Sequence, residues 1–273
     1  MTLSKTLVFY PTQGFTPAFK TLVHDALGDF KPEAIEHTAS YVRLLGVNVS
    51  EVQADALRSR ASETACDVFC VANDLKFADI EALFFDMDST LVNSETLDEM
   101  AAIYGLGEAC AKITADTMAG IIKDYPASLR ARVALLKGLP AKAIETVWEN
   151  MRPNPGVESW IAFCREKGKK TYVVSSGFTV LASRLADCLQ MTGYHTNEIE
   201  IEGDTLTGRF TGAVTGMNGA PIMDGAGKKE FVRQTCEELR ISPARVLCAG
   251  DGSNDVAMVA FAGVGVGFRP KKV

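Results

Sequence analysis

The stretch Ala82-Leu-Phe-Phe-Asp86-Met-Asp88-Ser-Thr90-Leu-Val92 decides the fold. Apolar Leu and Phe residues ending abruptly in acid-x-acid read as a buried parallel strand whose carboxyl end delivers two carboxylates to a crevice. Alternate residues of an extended segment point the same way, so Asp86 and Asp88 face one site together. Adjacent carboxylates repel and cost desolvation, which a cation or a substrate relieves. Taken alone, such a pair is better read as a strand end followed by a turn and a helix cap.

Two later segments repeat the pattern and reverse that preference. Thr171-Tyr-Val-Val-Ser175-Ser176-Gly177 is a buried strand stopping at hydroxyls and a glycine, and it leads into a helix from Val180 to Leu189. A hydroxyl and free backbone N–H groups at such a place suit phosphate. Arg245-Val-Leu-Cys-Ala-Gly250-Asp251-Gly-Ser-Asn254-Asp255 is a third strand ending in glycine and acids, followed by Val264-Gly-Val-Gly. Between them lies an alternating segment, Glu198 to Phe210, that turns at Gly203-Asp204 as a hairpin. A helix from Gly227 to Leu239 follows, with Lys228 at its start, where it would neutralise charge in a phosphate site. Strands and helices alternating, with polar groups only at the carboxyl ends of strands, specify a parallel sheet with its site along one edge.

Behind Thr90 the pattern turns helical. Leu97, Met100, Ala101 and Tyr104 share one face, Asn93 or Ser94 can cap the start, and Glu95 sits in the first turn. A second helix, Ser128 to Gly138, has an apolar stripe of Leu129, Val133, Leu135 and Leu136, with Arg132 inside it. A guanidinium on an apolar face needs an anion, either a structural carboxylate or part of a substrate. The insert from about 94 to 155 therefore reads as a helical lid over the site.

Upstream, the first eighty residues read β-α-β-α-β, a small α+β sandwich with helices on one sheet face. The helix from Thr16 to Leu27 is ended by Gly28, and the one opening at Ser50 has Gln53 in capping-box spacing. No chemistry-bearing cluster occurs there, so its expected role is packing or dimerisation, with amino-acid sensing as the alternative.

Composition narrows the classes. Lys+Arg 28 against Asp+Glu 34 gives net charge −6 without basic runs, which argues against a nucleic-acid partner. Seven scattered cysteines read as reduced core residues, and Cys66-x-x-x-Cys70 lacks histidines at ligand spacing. Neither a signal peptide nor an apolar run of membrane-spanning length is apparent, so a cytoplasmic protein is expected.

D-x-D-S-T at 86–90, S-x-G at 175–177, the lysine at 228 and G-D-G-x-N-D at 250–255 together resemble the haloacid dehalogenase superfamily, over about residues 82 to 270. Glu95 and the run Ser128-Leu-Arg-Ala-Arg-Val-Ala-Leu-Leu-Lys-Gly-Leu-Pro140 look like its phosphoserine phosphatases. That resemblance implies an α/β fold: a doubly wound, Rossmann-like parallel sheet over 77–273 with the cap insert, preceded by a small ACT-like domain over 1–76. It implies Mg²⁺-dependent hydrolysis of phosphoserine, the last step of serine synthesis. A different small phosphomonoester, or a catalytically silent amino-acid-binding regulator, are the competing readings, and the paired Asp86 and Asp88 argue against silence.

Carried over by position, Asp86 would be the nucleophile and Asp88 the acid and base. Mg²⁺ would be held by Asp86, the Asp88 carbonyl and Asp251, with Asp255 and Asn254 supporting them. Ser175, Gly177 and Lys228 would hold the phosphoryl oxygens, with Asn254 also counted on the substrate side. Ser176, where the family usually has glycine, keeps its N–H and adds bulk. Glu95 would take the substrate ammonium and Arg132 its carboxylate. Relatives continue through another strand and helix beyond the position of Val273.

Overall fold

In the computed structural model, residues 5–72, 76–118, 121–122, 124–211 and 222–270 are described. The chain divides into two compact units, Met1–Asp79 and Ile80–Val273.

The first unit runs β1 (Lys5–Pro11), α1 (Pro17–Phe30), β2 (Ala34–His37), β3 (Val42–Val47), α2 (Glu51–Ser62) and β4 (Cys66–Ala72). Its antiparallel sheet has the order β2-β3-β1-β4, the split β-α-β arrangement of ferredoxin-like domains. Leu7, Phe9, Val42 and Leu44 from the strands pack with Phe19, Leu22 and Leu57 from the helices. The Ser50–Gln53 capping box forms as its spacing predicts. Two expectations are corrected. The extra strand β2 is exposed at every position, so no apolar alternation announces it. The helix α1 runs through Gly28 and stops where Lys31 turns left-handed (φ 44°), donating its N–H to Leu27 O.

The second unit is built on β5 (Ala82–Phe85), β6 (Lys170–Phe178), β7 (Gly193–Asn197), β10 (Val246–Gly250) and β11 (Val264–Gly267), all parallel, in the order β11-β10-β5-β6-β7. Chain order reverses between β5 and β10, and a doubly wound sheet opens its crevice at such a switch point, outside the carboxyl ends of the strands. Helices α7 (Val157–Glu166), α8 (Thr179–Leu189), α9 (Gly225–Leu239) and α10 (Val256–Phe261) complete the layers. On one face, Phe84 and Val174 pack with Val232, Cys236 and Met258.

The cap comprises α3 (Thr96–Ile103), α4 (Gly107–Met118), α5 (Tyr125–Ala134) and α6 (Lys142–Asn150). Its two connections to the sheet run side by side. Val92 bridges Pro153, and the Asn154 amide donates to Thr90 O and Val92 O at 3.0 Å each, which pins the hinge. The hairpin β8 (Ile199–Glu202) and β9 (Thr205–Phe210) turns at Gly203-Asp204 as read, and joins the cap through Gly138 N to Leu206 O and Leu206 N to Leu139 O.

Several boundaries move. The Arg132 helix starts earlier, at Tyr125, because Asp124 caps it through Ala127 N at 2.6 Å. Neither Asn93 nor Ser94 caps α3. Strand β6 runs through Ser175-Ser176-Gly177 to Phe178, one residue beyond the expected stop, with a register irregularity after Val174. No helix among the described residues is long and apolar enough to cross a membrane.

Candidate active site

At the end of β5, Asp86 N–H still belongs to the sheet, donating to Ala249 O at 2.9 Å, while its carboxylate accepts from Met87 N–H at 2.8 Å. The chain then makes one wide turn over Met87–Leu91, closed by Val92 N–H to Met87 O. Ser89 sits there with left-handed φ 56°, a strained conformation for a residue with a side chain. Its hydroxyl donates to Glu95 Oε1 at 2.8 Å, so the turn aims Glu95.

Asp88 takes the place that Asn93 or Ser94 was expected to fill. It accepts from Thr96 N–H at 3.1 Å and from the Thr96 hydroxyl at 3.2 Å, capping α3 from eight residues upstream. Burial, with Glu95 beside it, pushes the Asp88 carboxyl up to about 7, the range in which a group both gives and takes protons near neutrality.

Asp86, Asp251 and Asp255 come together with carboxylate oxygens within 4.8 Å of one another. Lys228 is fully buried between two of them, 2.8 Å from Asp86 Oδ1 and 2.6 Å from Asp255 Oδ1. Burial drives the Asp86 carboxyl up to about 8, against the pull of the Lys228 cation. Lys228 itself is raised: burial works to discharge it, and the two carboxylates overcome that. Asp255 is fully engaged, its second oxygen accepting from Asp251 N–H at 3.1 Å and Gly252 N–H at 3.0 Å. Asp251 and Thr90 meet at 3.4 Å. Gly250 is required beneath this arrangement, since a Cβ there would collide with the Asp255 side chain.

Ser175 and Ser176 are buried at the end of β6. Gly177 N–H donates to Ser175 Oγ at 2.9 Å, near the end of β6. A Cβ at Gly177 would lie 3.2 Å from Asp88 Oδ2, which explains the close backbone approach. Asn254 Nδ2 lies 3.4 Å from Ser176 Oγ.

Across a cleft of about 610 Å³ the cap presents Glu95, Tyr125 and Arg132, while the sheet presents Asp86, Asp88, Ser175, Ser176, Gly177, Asp251 and Asn254. The Arg132 guanidinium has one loose ion pair, to Asp98 at 3.5 Å, and among the described residues its Nε is buried without a hydrogen-bond partner. Asp98 also accepts from the Cys110 thiol at 3.0 Å. Sequence reasoning missed Ser89 and Thr96, whose partners lie six and eight residues away, and Asp98 and Tyr125, whose partners Arg132 and Asn254 are far along the chain. Only the Thr at the start of α3 carried a local signal, as a helix-starting residue.

A haloacid dehalogenase-like hydrolase family profile matches residues 80–263. The chain belongs to this family. Within it, a phosphoserine phosphatase of Polaromonas sp. is 39% identical over 199 residues, 72% of this chain and 83% of that protein. A haloacid dehalogenase family hydrolase of Salmonella enterica serovar Typhi superimposes with TM-score 0.83 at 26% identity, covering 99% of this chain and 91% of the other. A phosphoserine phosphatase solved as a phospho-aspartyl intermediate analogue superimposes with TM-score 0.63 at 32% identity, over 70% and 88%. The chain is a phosphatase. Its buried, all-oxygen acidic cluster suits a hard divalent cation, which would relieve the desolvated Asp86 carboxylate.

Proposed function

We propose that this chain hydrolyses O-phospho-L-serine to L-serine and inorganic phosphate in two displacements at Asp86. The observation that carries this reading is the pairing of Asp86 with buried Lys228 at 2.8 Å on the sheet side of the same cleft that Glu95 and Arg132 line from the cap.

In the first displacement, an Asp86 oxygen attacks phosphorus in line and the bond to the seryl oxygen breaks. The leaving oxygen takes its proton from Asp88, leaving serine and an aspartyl phosphate. In the second, Asp88 accepts a proton from water, whose oxygen attacks the same phosphorus, and the bond to Asp86 breaks to release phosphate. Lys228 and the Ser175 hydroxyl are placed in this reading against the phosphoryl oxygens, and the Ser176 N–H and Asn254 amide add donors. Glu95, aimed by Ser89, meets the substrate ammonium. Arg132, with its Nε free among the described residues, meets the carboxylate.

Mg²⁺ is the proposed ion, supplying charge neutralisation for the transferring phosphoryl group when bound. Asp86, Asp251 and the Asp88 carbonyl would hold it, while Asp255, already committed to Lys228 and two backbone N–H groups, would support them. Phosphate release from a panel of phosphorylated metabolites, with Mg²⁺ and with chelator, tests the whole reading. Phosphoserine should lead by tenfold or more in kcat/KM, roughly the discrimination of one well-placed charge contact, and chelator should silence it. Preference for a monoester lacking the amino-acid head would end the substrate assignment.

The first unit is proposed to hold copies of the chain together, supported by Tyr10 and Phe69, exposed on the sheet face away from its helices. A monomer mass by light scattering at micromolar concentration would discard that role.

A further inference from the structure

Tyr125 opens helix α5 with its side chain facing the cleft, and the proposed chemistry above gives it nothing to do. Its phenol oxygen meets two groups from the sheet side. Asn254 Nδ2 lies 3.5 Å away, and the Ser176 hydroxyl hydrogen-bonds it. Asn254 Nδ2 and Ser176 Oγ are themselves 3.4 Å apart. Three side chains from three elements therefore converge on one point, within reach of the charges of Lys228 and Asp86.

The cluster is rich in donors. An amide NH₂ brings two and each hydroxyl one, besides the lone pairs with which the hydroxyls accept from Asn254. Contacts of 3.4 and 3.5 Å lie beyond the usual 2.7–3.2 Å range, so these protons are not used at full strength among themselves. Burial raises the phenol above its ordinary value, which favours the protonated, donating form. A donor-rich pocket beside a buried ammonium is complementary to an oxyanion, and a phosphoryl group brings three equatorial oxygens.

We propose that Tyr125 is a further catalytic residue, its hydroxyl donating from the cap to a non-bridging phosphoryl oxygen that Ser176 and Asn254 contact from the sheet. This rests on the reading of the cleft as a phosphoryl-transfer site, and is independent of which leaving group it accepts. Because the phenol rides on the cap, the full donor set exists only when α5 lies against the sheet, which couples cap position to phosphoryl stabilisation. Ser176, in place of the family's usual glycine, then supplies the hydroxyl that holds the phenol.

The test uses full-length Tyr125→Phe, which keeps the ring and its packing, assayed on phosphoserine and on an aryl phosphate. Inorganic phosphate serves as a separate binding probe, read by its stabilisation of the protein against heat. The loss of a hydrogen bond to a charged group corresponds to about ten- to a hundredfold. A fall of kcat/KM of that size on both substrates, carried mainly by kcat, with weaker phosphate stabilisation, is the expected result. Rates within about twofold of the parent on both substrates would overturn the proposal, as would a loss confined to phosphoserine, which would make Tyr125 a reader of the amino acid. If the parent protein cleaves the aryl phosphate and not phosphoserine, the substrate assignment fails, and the aryl phosphate and phosphate arms still decide the role of Tyr125.

Discussion

The two units handle charge in opposite ways. In the first, Lys5–Glu51, Arg43–Glu36 and Arg60–Asp25 all lie on the surface, and among the described residues no Asp, Glu, Lys or Arg is buried. The second buries Asp86, Lys228, Asp251 and Asp255 within one cluster. Topology explains why only one unit can do this. Antiparallel neighbours send their carboxyl ends to opposite edges, so β1 ends at the edge opposite to the ends of β3 and β4 on either side of it. Parallel β5, β6 and β10 bring theirs to one edge, and the cost of several kcal/mol for desolvating each ion is incurred where those ends converge.

The sharpest way to break this contrast is to remove the charges that the second unit concentrates. Asp86→Asn should lower turnover by roughly 10⁴-fold or more, the scale for deleting a covalent nucleophile. Asp88→Asn should lower it by about 10²- to 10⁴-fold, as for a positioned proton donor. Near-normal steady-state rates from Asp86→Asn would remove the chemistry from this edge altogether. Arg132→Ala should cost roughly 2–5 kcal/mol of transition-state binding for phosphoserine. For an aryl phosphate, which lacks a carboxylate, it should cost far less. Equal losses would mean that Arg132 only supports the cap through Asp98.

Stability should follow the same division. Asp255→Ala strips Lys228 of its 2.6 Å partner and leaves two backbone N–H groups without their acceptor. The expected destabilisation is about 3 kcal/mol, the lower end for breaking a buried pair, since Asp86 stays beside Lys228. Both tryptophans, Trp148 and Trp160, lie in the second unit, so denaturant unfolding followed by their fluorescence reports on it directly. An unchanged midpoint would mean that the cluster carries its charges at no cost to the fold.

What was legible in the sequence follows from the range of the interactions. Ala82-Leu-Phe-Phe, Tyr-Val-Val and Val-Leu-Cys-Ala are buried on both faces, so their apolar runs announce them, and their polar ends mark the edge of the sheet. Edge strands β2 (AIEH) and β7 (GYHTN) have no such run and went unread. The residues that carry a motif can be singled out from the sequence, while Thr96 and Tyr125 have contacts that form only where the cap meets the sheet, and Asp98 has partners on other helices of the cap. Lys228 was read as a phosphate ligand, but its complete burial between two carboxylates has no trace in Gly227-Lys-Lys-Glu, where a lysine is ordinarily solvated.

The smallest expected effect lies in the first unit. Lys5 and Glu51 are joined at 2.8 Å, but the Glu51 side chain is 77% exposed, so solvent screens the pair and two long side chains are immobilised to make it. Lys5→Ala should cost no more than about 0.2–1 kcal/mol, read by calorimetry and shrinking as salt is added. Its pH dependence has a fixed sign. The hydrogen bond from Lys5, assisted by its charge, holds the Glu51 carboxyl below its ordinary 4.5, so the native protein binds fewer protons there than the unfolded chain. The contribution is therefore complete above that value and is lost as pH falls through the lower, folded one. Parent and Lys5→Ala should differ at neutral pH and converge in acid. A difference as large as that of Asp255→Ala, or one that persists in acid and high salt, would show that the first unit also relies on desolvated charge and would dissolve the contrast between the two.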